Sequence, residues 1–225
     1  MSGNGNRIFA KEGVPVLLVL LILTGATYVW FGFPYSLFFL FLFLLGLILF
    51  RDPQCKVPAA PLAILSPASG KVMSITETSD PWINRTAIRI RIKISFWDAH
   101  ILRCPTEGKV INQWSKNDLE PEFDRQYAYL IQTDEADDVV IALGMDQAAK
   151  FTRMSIIPGE RVGQGQRCGF LYVSGVIDVY ISANSRVNIN PGQKIESGTS
   201  MLGFFVHGKQ ASSITPNKYR TGLLL

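Results

Sequence analysis

The sequence predicts a mainly β protein in which a two-helix transmembrane hairpin precedes a compact β-rich domain. Residues 13–50 contain no Asp, Glu, Lys or Arg. Beyond them, short stretches alternate apolar and polar residues, as a strand with one wet face does. Gly and Pro turn signals separate these stretches. We predict four segments: an N-terminal cytoplasmic segment (1–13), the hairpin (14–50), the β domain (51–206) and a C-terminal tail (207–225).

The hairpin is predicted from two apolar runs, Val14–Phe31 and Tyr35–Phe50, separated by Gly32–Pro34. Each run is near the lower end of the roughly 17–25 residues that span a bilayer as a helix. Pro34 cannot continue a helix, which favours a tight turn. A single long re-entrant helix is the alternative. A signal peptide fits poorly, because a second apolar run follows at once.

Orientation follows from the cations that flank the two runs. Arg7 and Lys11 precede the first run, Arg51 and Lys56 follow the second, and the turn carries no charge. Positive charge marks the cytoplasmic side, so both termini and the β domain are expected there. The net charge of +4 favours anionic phospholipid weakly and does not indicate nucleic-acid binding.

Strands are predicted along the rest of the chain. Residues Ala87–Ser95, "AIRIRIKIS", alternate with a strict period of two, and Tyr127–Gln132 and Asp138–Gly144 are further short strands. The acidic residues between the last two are interpreted as a solvated hairpin tip rather than a cation loop. The stretch Leu171–Tyr180, "LYVSGVIDVY", is interpreted as one strand that contains Ser174-Gly175. A glycine within a strand indicates a bulge or a close backbone approach.

A turn pattern occurs twice. "PGERVGQG" begins at Pro158 and "PGQKIESG" at Pro191, so both read P-G-x-x-[V/I]-x-x-G. The first glycine suits a tight turn, and the second turns the chain back.

The cysteines and histidines do not form a metal-binding pattern. Cys55, Cys104 and Cys168 have unrelated spacings, and the only histidines are His100 and His207. A cytoplasmic domain keeps its thiols reduced, so packing is the expected role of the cysteines.

The order of several motifs resembles a known family. The motifs are "FRDP" (Phe50–Pro53), "LSPASGKV" (Leu65–Val72), "ISFWDAHILRCPTEGKV" (Ile94–Val110), "PGERVGQGQRCGF" (Pro158–Phe170) and "VSGVIDVYI" (Val173–Ile181). Together they resemble the short, membrane-anchored type of phosphatidylserine decarboxylase, up to about Gly203. The resemblance implies a barrel-sandwich-like β domain, in a protein anchored in the bacterial inner, or cytoplasmic, membrane.

The resemblance also implies a proenzyme that cuts itself. In the family, a Ser hydroxyl attacks the carbonyl of the preceding residue, and the new N-terminus becomes a pyruvoyl group. This ketone acts as the electron sink for decarboxylation of phosphatidylserine to phosphatidylethanolamine. Self-cutting uses an arrangement of Asp, His and Ser. The His takes the proton of the Ser hydroxyl, and the Asp orients the His.

Only one of the three self-cutting residues is matched here. His100 lies in "DAHILR", which matches the family's "DVHVNR". Ser69 stands where the family has Asp, and Gly175 stands where it has the reactive Ser. Ser174 stands where the family has Gly, so the order of the pair is inverted. On a continuous strand, Ser174 would point to the face opposite His100.

The substitutions favour a pseudoenzyme that has no cofactor and binds lipid or serves as an accessory subunit of a membrane assembly. The second hypothesis is an active decarboxylase, cut between Val173 and Ser174, with a pyruvoyl group formed from Ser174. The third is a carrier resembling biotinyl or lipoyl domains, suggested by the paired turns. A carrier needs a Lys at an exposed hairpin tip, and Lys194 and Lys209 are the available residues.

Overall fold

A computed structural model of the chain describes residues 10–52, 55–60, 62–115, 125–144 and 152–206. The predictions for Arg7, His207 and Lys209, and for the C-terminal tail, therefore lie outside the described residues.

The first two elements are the helices α1 (Val14–Phe31) and α2 (Phe33–Leu49). They are joined by Gly32 alone, whose φ of +80° lies in the left-handed region that glycine tolerates. Pro34 lies in the first turn of α2, where its missing N–H has no helical partner to lose, so the prediction that it would lie outside the helix is wrong. A Cβ atom at Gly46 would lie 3.0 Å from the Leu17 side chain, so this small residue lets the helices approach closely.

The helix pair is apolar and largely exposed. Helix α1 has 18 residues with a mean hydropathy of 2.2, so it is long and apolar enough to cross a membrane. Helix α2 is a slightly shorter apolar helix. The structure therefore agrees with the predicted two-helix hairpin and suggests membrane association. Crossing of the bilayer and the sidedness of the β domain stay predictions.

The rest of the described chain is rich in strands, and every pairing among them is antiparallel. The strands are β1 (Ala63–Leu65), β2 (Gly70–Asp80), β3 (Arg85–Ile94), β4 (Ile101–Arg103), β5 (Gly108–Ser115), β6 (Arg125–Gln132), β7 (Asp138–Gly144), β8 (Thr152–Met154), β9 (Arg161–Val162), β10 (Arg167–Leu171), β11 (Gly175–Ser182), β12 (Arg186–Val187), β13 (Lys194–Ile195) and β14 (Met201–Phe204).

Three sheets hold these strands. The largest has the order β13-β2-β3-β11-β7-β6-β5-β9, and two small sheets have the orders β1-β14-β12 and β4-β10-β8. Strands β13 and β9 are the edges of the large sheet, so the described strands do not close a barrel. The β-rich part of the prediction is confirmed, whereas the barrel-sandwich arrangement is not.

Strand β3 confirms the alternation that the sequence predicts. Its four isoleucines at positions 88, 90, 92 and 94 are buried in the main core. On its other face, Arg91 donates two hydrogen bonds, at 3.0 and 3.1 Å, to the fully buried carboxylate of Asp178 on β11. This face is therefore not uniformly solvated, because a paired charge is buried there.

The two copies of the turn pattern adopt the same conformation. Their first glycines, Gly159 and Gly192, have φ values of +92° and +87°. Their second glycines, Gly165 and Gly198, have φ values of +70° and +72°. Glycine is used at these places because other residues adopt such values only with strain.

Each turn also leads to an equivalent strand pairing. In one, Val162 of β9 lies opposite Gly108, which begins β5; in the other, Ile195 of β13 lies opposite Gly70, which begins β2. The segments before these strands exchange backbone hydrogen bonds, from Leu65 to Pro105 at 2.8 Å and from Arg103 to Pro67 at 2.9 Å. The turns thus belong to an internal approximate two-fold repeat.

Candidate functional site

The stretch Leu171–Tyr180 is two strands rather than the one that the sequence predicts. Strand β10 ends at Leu171, β11 begins at Gly175, and Tyr172–Ser174 connects them. The two strands belong to different sheets, and the change of sheet requires a break in the strand. Side-chain alternation cannot be carried from β11 to Ser174, so the prediction that Ser174 faces away from His100 loses its basis.

The fold brings the three positions of the family's self-cutting site to one end of the large sheet. Ile94, the last residue of β3, lies opposite Gly175, and the N–H of Leu171 donates a hydrogen bond to the carbonyl oxygen of His100 at 2.8 Å. The loops Ser95–His100 and Tyr172–Ser174 therefore join the same two pairs of strands. They lie next to each other, and the Ser174-Gly175 pair lies beside the segment that carries His100.

Ser69 lies near the same segment, but its hydroxyl is engaged elsewhere. Its Oγ accepts a hydrogen bond from the N–H of Ser197 at 3.0 Å. The hydroxyl of Ser197 is shared between the carbonyl oxygens of Pro67, at 3.0 Å, and Ile101, at 3.1 Å. This network connects the Ser69 turn to the residue after His100.

Ser197 is a site residue that the sequence reasoning missed. It lies in the second P-G-x-x-[V/I]-x-x-G turn, just before Gly198. The repeat predicts that turn, but the contacts of Ser197 join residues far apart in the chain. An apposition of this kind has no local sequence signal.

His100 is buried among aromatic side chains, close to Asp98. Its side chain is inaccessible to solvent and contacts the rings of Phe96 and Phe170, at centroid distances of 6.5 and 6.4 Å. Neither ring nitrogen makes a hydrogen bond to a described residue. Burial lowers the pKa of His100 below its ordinary value of 6.5, and the backbone and carboxylate of Asp98 only partly oppose this effect. The imidazole is therefore neutral at physiological pH.

A cavity of about 280 Å³ lies beside these residues. The charged and polar side chains that line it are two cations, two carboxylates and three hydroxyls: Arg51 and Lys194, Asp98 and Glu196, and Ser69, Ser197 and Thr199. The exposed side chain of Lys194 lies 3.8 Å from the carboxylate of Asp98, which is largely buried. Such a lining can bind a ligand that carries both signs of charge.

The cavity lies at the base of the helical hairpin. Arg51, which lines it, follows Phe50, the C-cap residue of α2. Its guanidinium donates a hydrogen bond to the carbonyl oxygen of Trp97 at 3.1 Å. A residue that lines the cavity thus directly follows the C-cap of an apolar helix.

The structure gives no support to a carrier lysine among the described residues. Lys194 lies within the short strand β13, opposite Lys71, rather than at a free hairpin tip.

Comparison with known proteins identifies the family. Residues 44–203 match the family model described as phosphatidylserine decarboxylase. A protein from Nitrosomonas europaea named phosphatidylserine decarboxylase proenzyme is 30% identical over 214 residues, which cover 88% of this chain and 95% of that protein. A protein of the same name from Aromatoleum aromaticum is 28% identical, with 90% and 98% covered.

Among solved structures, glucose permease IIA from Mycoplasma capricolum superposes with a TM-score of 0.40 and 15% identity, covering 63% of this chain and 94% of that one. A similarity this low supports no conclusion about fold or function. The family match covers most of the chain and includes the loop that carries His100 and the strand that begins at Gly175. The chain belongs to the phosphatidylserine decarboxylase family.

Proposed function

We propose that this family member stays a single chain and binds the headgroup of an amine-bearing phospholipid without decarboxylating it. The hairpin would anchor the protein in a bacterial inner membrane, with the β domain on the cytoplasmic face. In this role it would serve as a lipid-binding or accessory subunit of a membrane assembly. The positive charge of Lys11, Arg51 and Lys56, which are exposed and flank the helices, supports this orientation.

The observation that carries the proposal is that, among the described residues, no hydroxyl lies within hydrogen-bond reach of His100. A histidine that removes a proton from a hydroxyl needs that hydroxyl within hydrogen-bond reach and a group that orients its ring. Neither nitrogen of His100 has a hydrogen-bond partner among the described residues, and the Ser69 hydroxyl is bonded to Ser197. Gly175 has no hydroxyl, so a pyruvoyl group cannot form from the residue at the family's serine position.

The cavity lining supports a zwitterionic headgroup as the ligand. A headgroup such as phosphoserine carries a phosphate, an ammonium and a carboxylate. Arg51 and Lys194 could receive the two anions, and Glu196 and Asp98 the ammonium. Because Arg51 directly follows the hairpin, a lipid in the same bilayer would reach the cavity without leaving the membrane.

Lipid binding and turnover can be measured on the same sample. The protein is reconstituted in nanodiscs with phosphatidylserine labelled at its carboxyl carbon, and released carbon dioxide and retained lipid are measured. We expect retention of phosphatidylserine above that of phosphatidylglycerol, with no carbon dioxide released above a protein-free control. Equal retention of the two lipids would contradict headgroup binding, and release of labelled carbon dioxide would contradict the lack of catalysis.

A matched pair of variants assigns the binding to the cavity. Lys194→Gln removes a cation that lines the cavity, whereas Lys71→Gln removes a cation from the opposite residue of the same strand pair. We expect phosphatidylserine retention to fall severalfold with the first variant and to remain with the second. Equal effects of the two substitutions would contradict the cavity as the site.

A second candidate function, an active decarboxylase cut between Val173 and Ser174, is favoured by one observation. Ser174 lies in the connection beside the His100 segment rather than within a strand. Attack of its Oγ on the Val173 carbonyl would give an ester. Elimination would then release the chain ending at Val173 as a carboxylate, and hydrolysis of the resulting dehydroalanine would release ammonia and leave a pyruvoyl group.

This candidate is tested with Ser174→Ala. If the chain is cut at this bond, the variant remains whole while the unmodified protein separates into two pieces. If the two proteins are identical on a denaturing gel, cutting at Ser174 is rejected.

A further inference from the structure

Three exposed apolar side chains lie on the two neighbouring loops at the candidate site. Phe96 and Trp97 follow β3, with exposed fractions of 42% and 64%, and Val173 in the β10–β11 connection is 40% exposed. The rings of Phe96 and Trp97 contact each other edge to face at a centroid distance of 5.4 Å. We call these three residues the apolar rim.

The apolar rim is continuous with the base of the helical hairpin. Phe50, at the end of α2, stacks on Phe170 of β10 with a centroid distance of 5.7 Å, and Phe170 contacts Tyr172 at 5.1 Å. Tyr172 is the neighbour of Val173, and Arg51 hydrogen-bonds the Trp97 carbonyl. An apolar path therefore runs from the helix end to the Tyr172–Ser174 connection, and a hydrogen bond ties the residue after the helix to the loop of Phe96 and Trp97.

Ion pairs hold the hairpin base and the β domain together. Arg103 of β4 donates a hydrogen bond to Asp52 at 3.1 Å, and Arg167 of β10 lies 3.7 Å from Asp52. Arg167 also pairs with Glu12, which precedes α1. Both ends of the hairpin are thus tied to the two strands that flank the rim loops, so the height of the rim relative to the helices is fixed.

We propose that the apolar rim inserts into the interfacial region of the bilayer that holds the hairpin. Trp and other aromatic residues are favoured at the level of the lipid headgroups. The continuity of the rim with the end of an apolar helix identifies the bilayer, rather than a partner protein, as its occupant. Rim insertion would hold the mouth of the headgroup cavity, lined by Asp98 and Ala99, against the membrane surface.

This inference rests on the proposed membrane insertion of the hairpin. Insertion of the hairpin and insertion of the rim can be measured separately, because each carries its own tryptophan. Trp30 lies in α1 and reports hairpin insertion, whereas Trp97 reports the rim. Trp82 lies in the turn before β3, at the end opposite Trp97. The nine residue steps of β3 separate these ends by about 30 Å.

The experiment measures tryptophan fluorescence of the full chain in vesicles whose phosphatidylcholine carries bromine near the headgroup end of its acyl chains. Bromine quenches only tryptophans that contact the lipid. The unmodified protein is compared with Trp97→Phe, Trp30→Phe and Trp82→Phe, and circular dichroism confirms that each variant is folded. Removal of Trp97 or Trp30 is expected to lower the quenched fraction, and removal of Trp82 to raise it.

Two results would overturn the inference, and they differ in what they say about the hairpin. If the quenched fraction rises with Trp97→Phe but falls with Trp30→Phe, the hairpin is inserted and the rim is not, which leaves the rim to a protein partner. If bromine quenches none of the tryptophans, the hairpin is not in the bilayer and the proposed anchoring fails as well.

Discussion

The backbone N–H of Leu171 and the carbonyl oxygen of His100 form a hydrogen bond of 2.8 Å. It joins the end of the strand before the family's cutting position to the segment that carries the family's histidine. The bond involves only main-chain atoms, so it does not depend on which side chains are present. The framework of the self-cutting site can therefore persist where Asp and Ser have been replaced by Ser69 and Gly175.

Restoring the family residues on this framework is predicted to restore cutting. The triple variant Ser69→Asp, Ser174→Gly and Gly175→Ser supplies the carboxylate, the flexible preceding residue and the hydroxyl. Because the two loops are held side by side, we expect a fraction of the chain to separate before position 175. A denaturing gel and intact-mass measurement check this. The control has Gly175→Ala instead of Gly175→Ser and is expected to stay whole; cutting in both would show that the new hydroxyl is not responsible.

His100 is predicted to make the fold less stable in mild acid. Burial lowers its pKa below 6.5, so the unfolded chain binds more protons than the native chain between the two pKa values. The free energy of unfolding therefore falls as the pH drops through that window. His100→Phe removes the titrating group. Between about pH 7.5 and pH 5.5, we therefore expect the melting temperature of this variant to fall less than that of the unmodified protein.

Other buried acids do not affect that comparison. Burial raises the pKa values of Asp52 and Asp80, which stabilises the native state as the pH falls toward those pKa values, but both residues are present in both proteins. Parallel melting curves across the whole pH range would show that His100 does not titrate as proposed.

The ion pairs at the hairpin base are predicted to matter more than an exposed pair. Arg103→Gln removes one of the two guanidinium groups that offset the burial of the Asp52 carboxylate, and we expect the free energy of unfolding to fall by about 3 kcal/mol. Asp134→Asn breaks the Arg161 pair, in which both side chains are 68% exposed, and should cause no measurable change. Chemical unfolding in detergent measures both, and equal effects would contradict a structural role of the pair between Arg103 and Asp52.

Gly70 is predicted to be required for the pairing of β2 with β3. A Cβ atom there would lie 2.2 Å from the carbonyl oxygen of Lys93, so Gly70→Ala must separate the strands and should cost about 1–3 kcal/mol. Gly25→Ala is the control, because a Cβ atom on that helical residue meets nothing within 4 Å. If the melting temperature of the Gly70 variant matches that of the control, the close approach is wrong.

Much of the fold follows from local patterns in the sequence. The period of two in β3 decides which face of that strand is buried, and the paired Gly residues, such as Gly159 and Gly192, decide where the chain turns. The apolar runs around Gly32 give the helix pair. These features are predictable because each depends on residues that are neighbours in the chain.

The features that were not predictable depend on contacts between distant residues. Ser174-Gly175 predicts an irregularity, but Tyr172 and Val173 favour a strand, so the change from one sheet to another at Tyr172–Ser174 was not predictable. The lack of a hydrogen bond to the ring nitrogens of His100 and the hydrogen bond between Ser69 and Ser197 likewise arise from packing. The resemblance to the family indicated a site at these residues, but not which of their polar groups would be hydrogen-bonded elsewhere.

The intact mass of the purified full chain tests the central claim most directly. If the self-cutting site is inactive, denaturing mass spectrometry finds one polypeptide of 25.0 kDa with a free or formylated N-terminus and no shorter partner. Two polypeptides that correspond to residues 1–173 and 174–225, the second lacking a free amine because it begins with a pyruvoyl group, would contradict the claim.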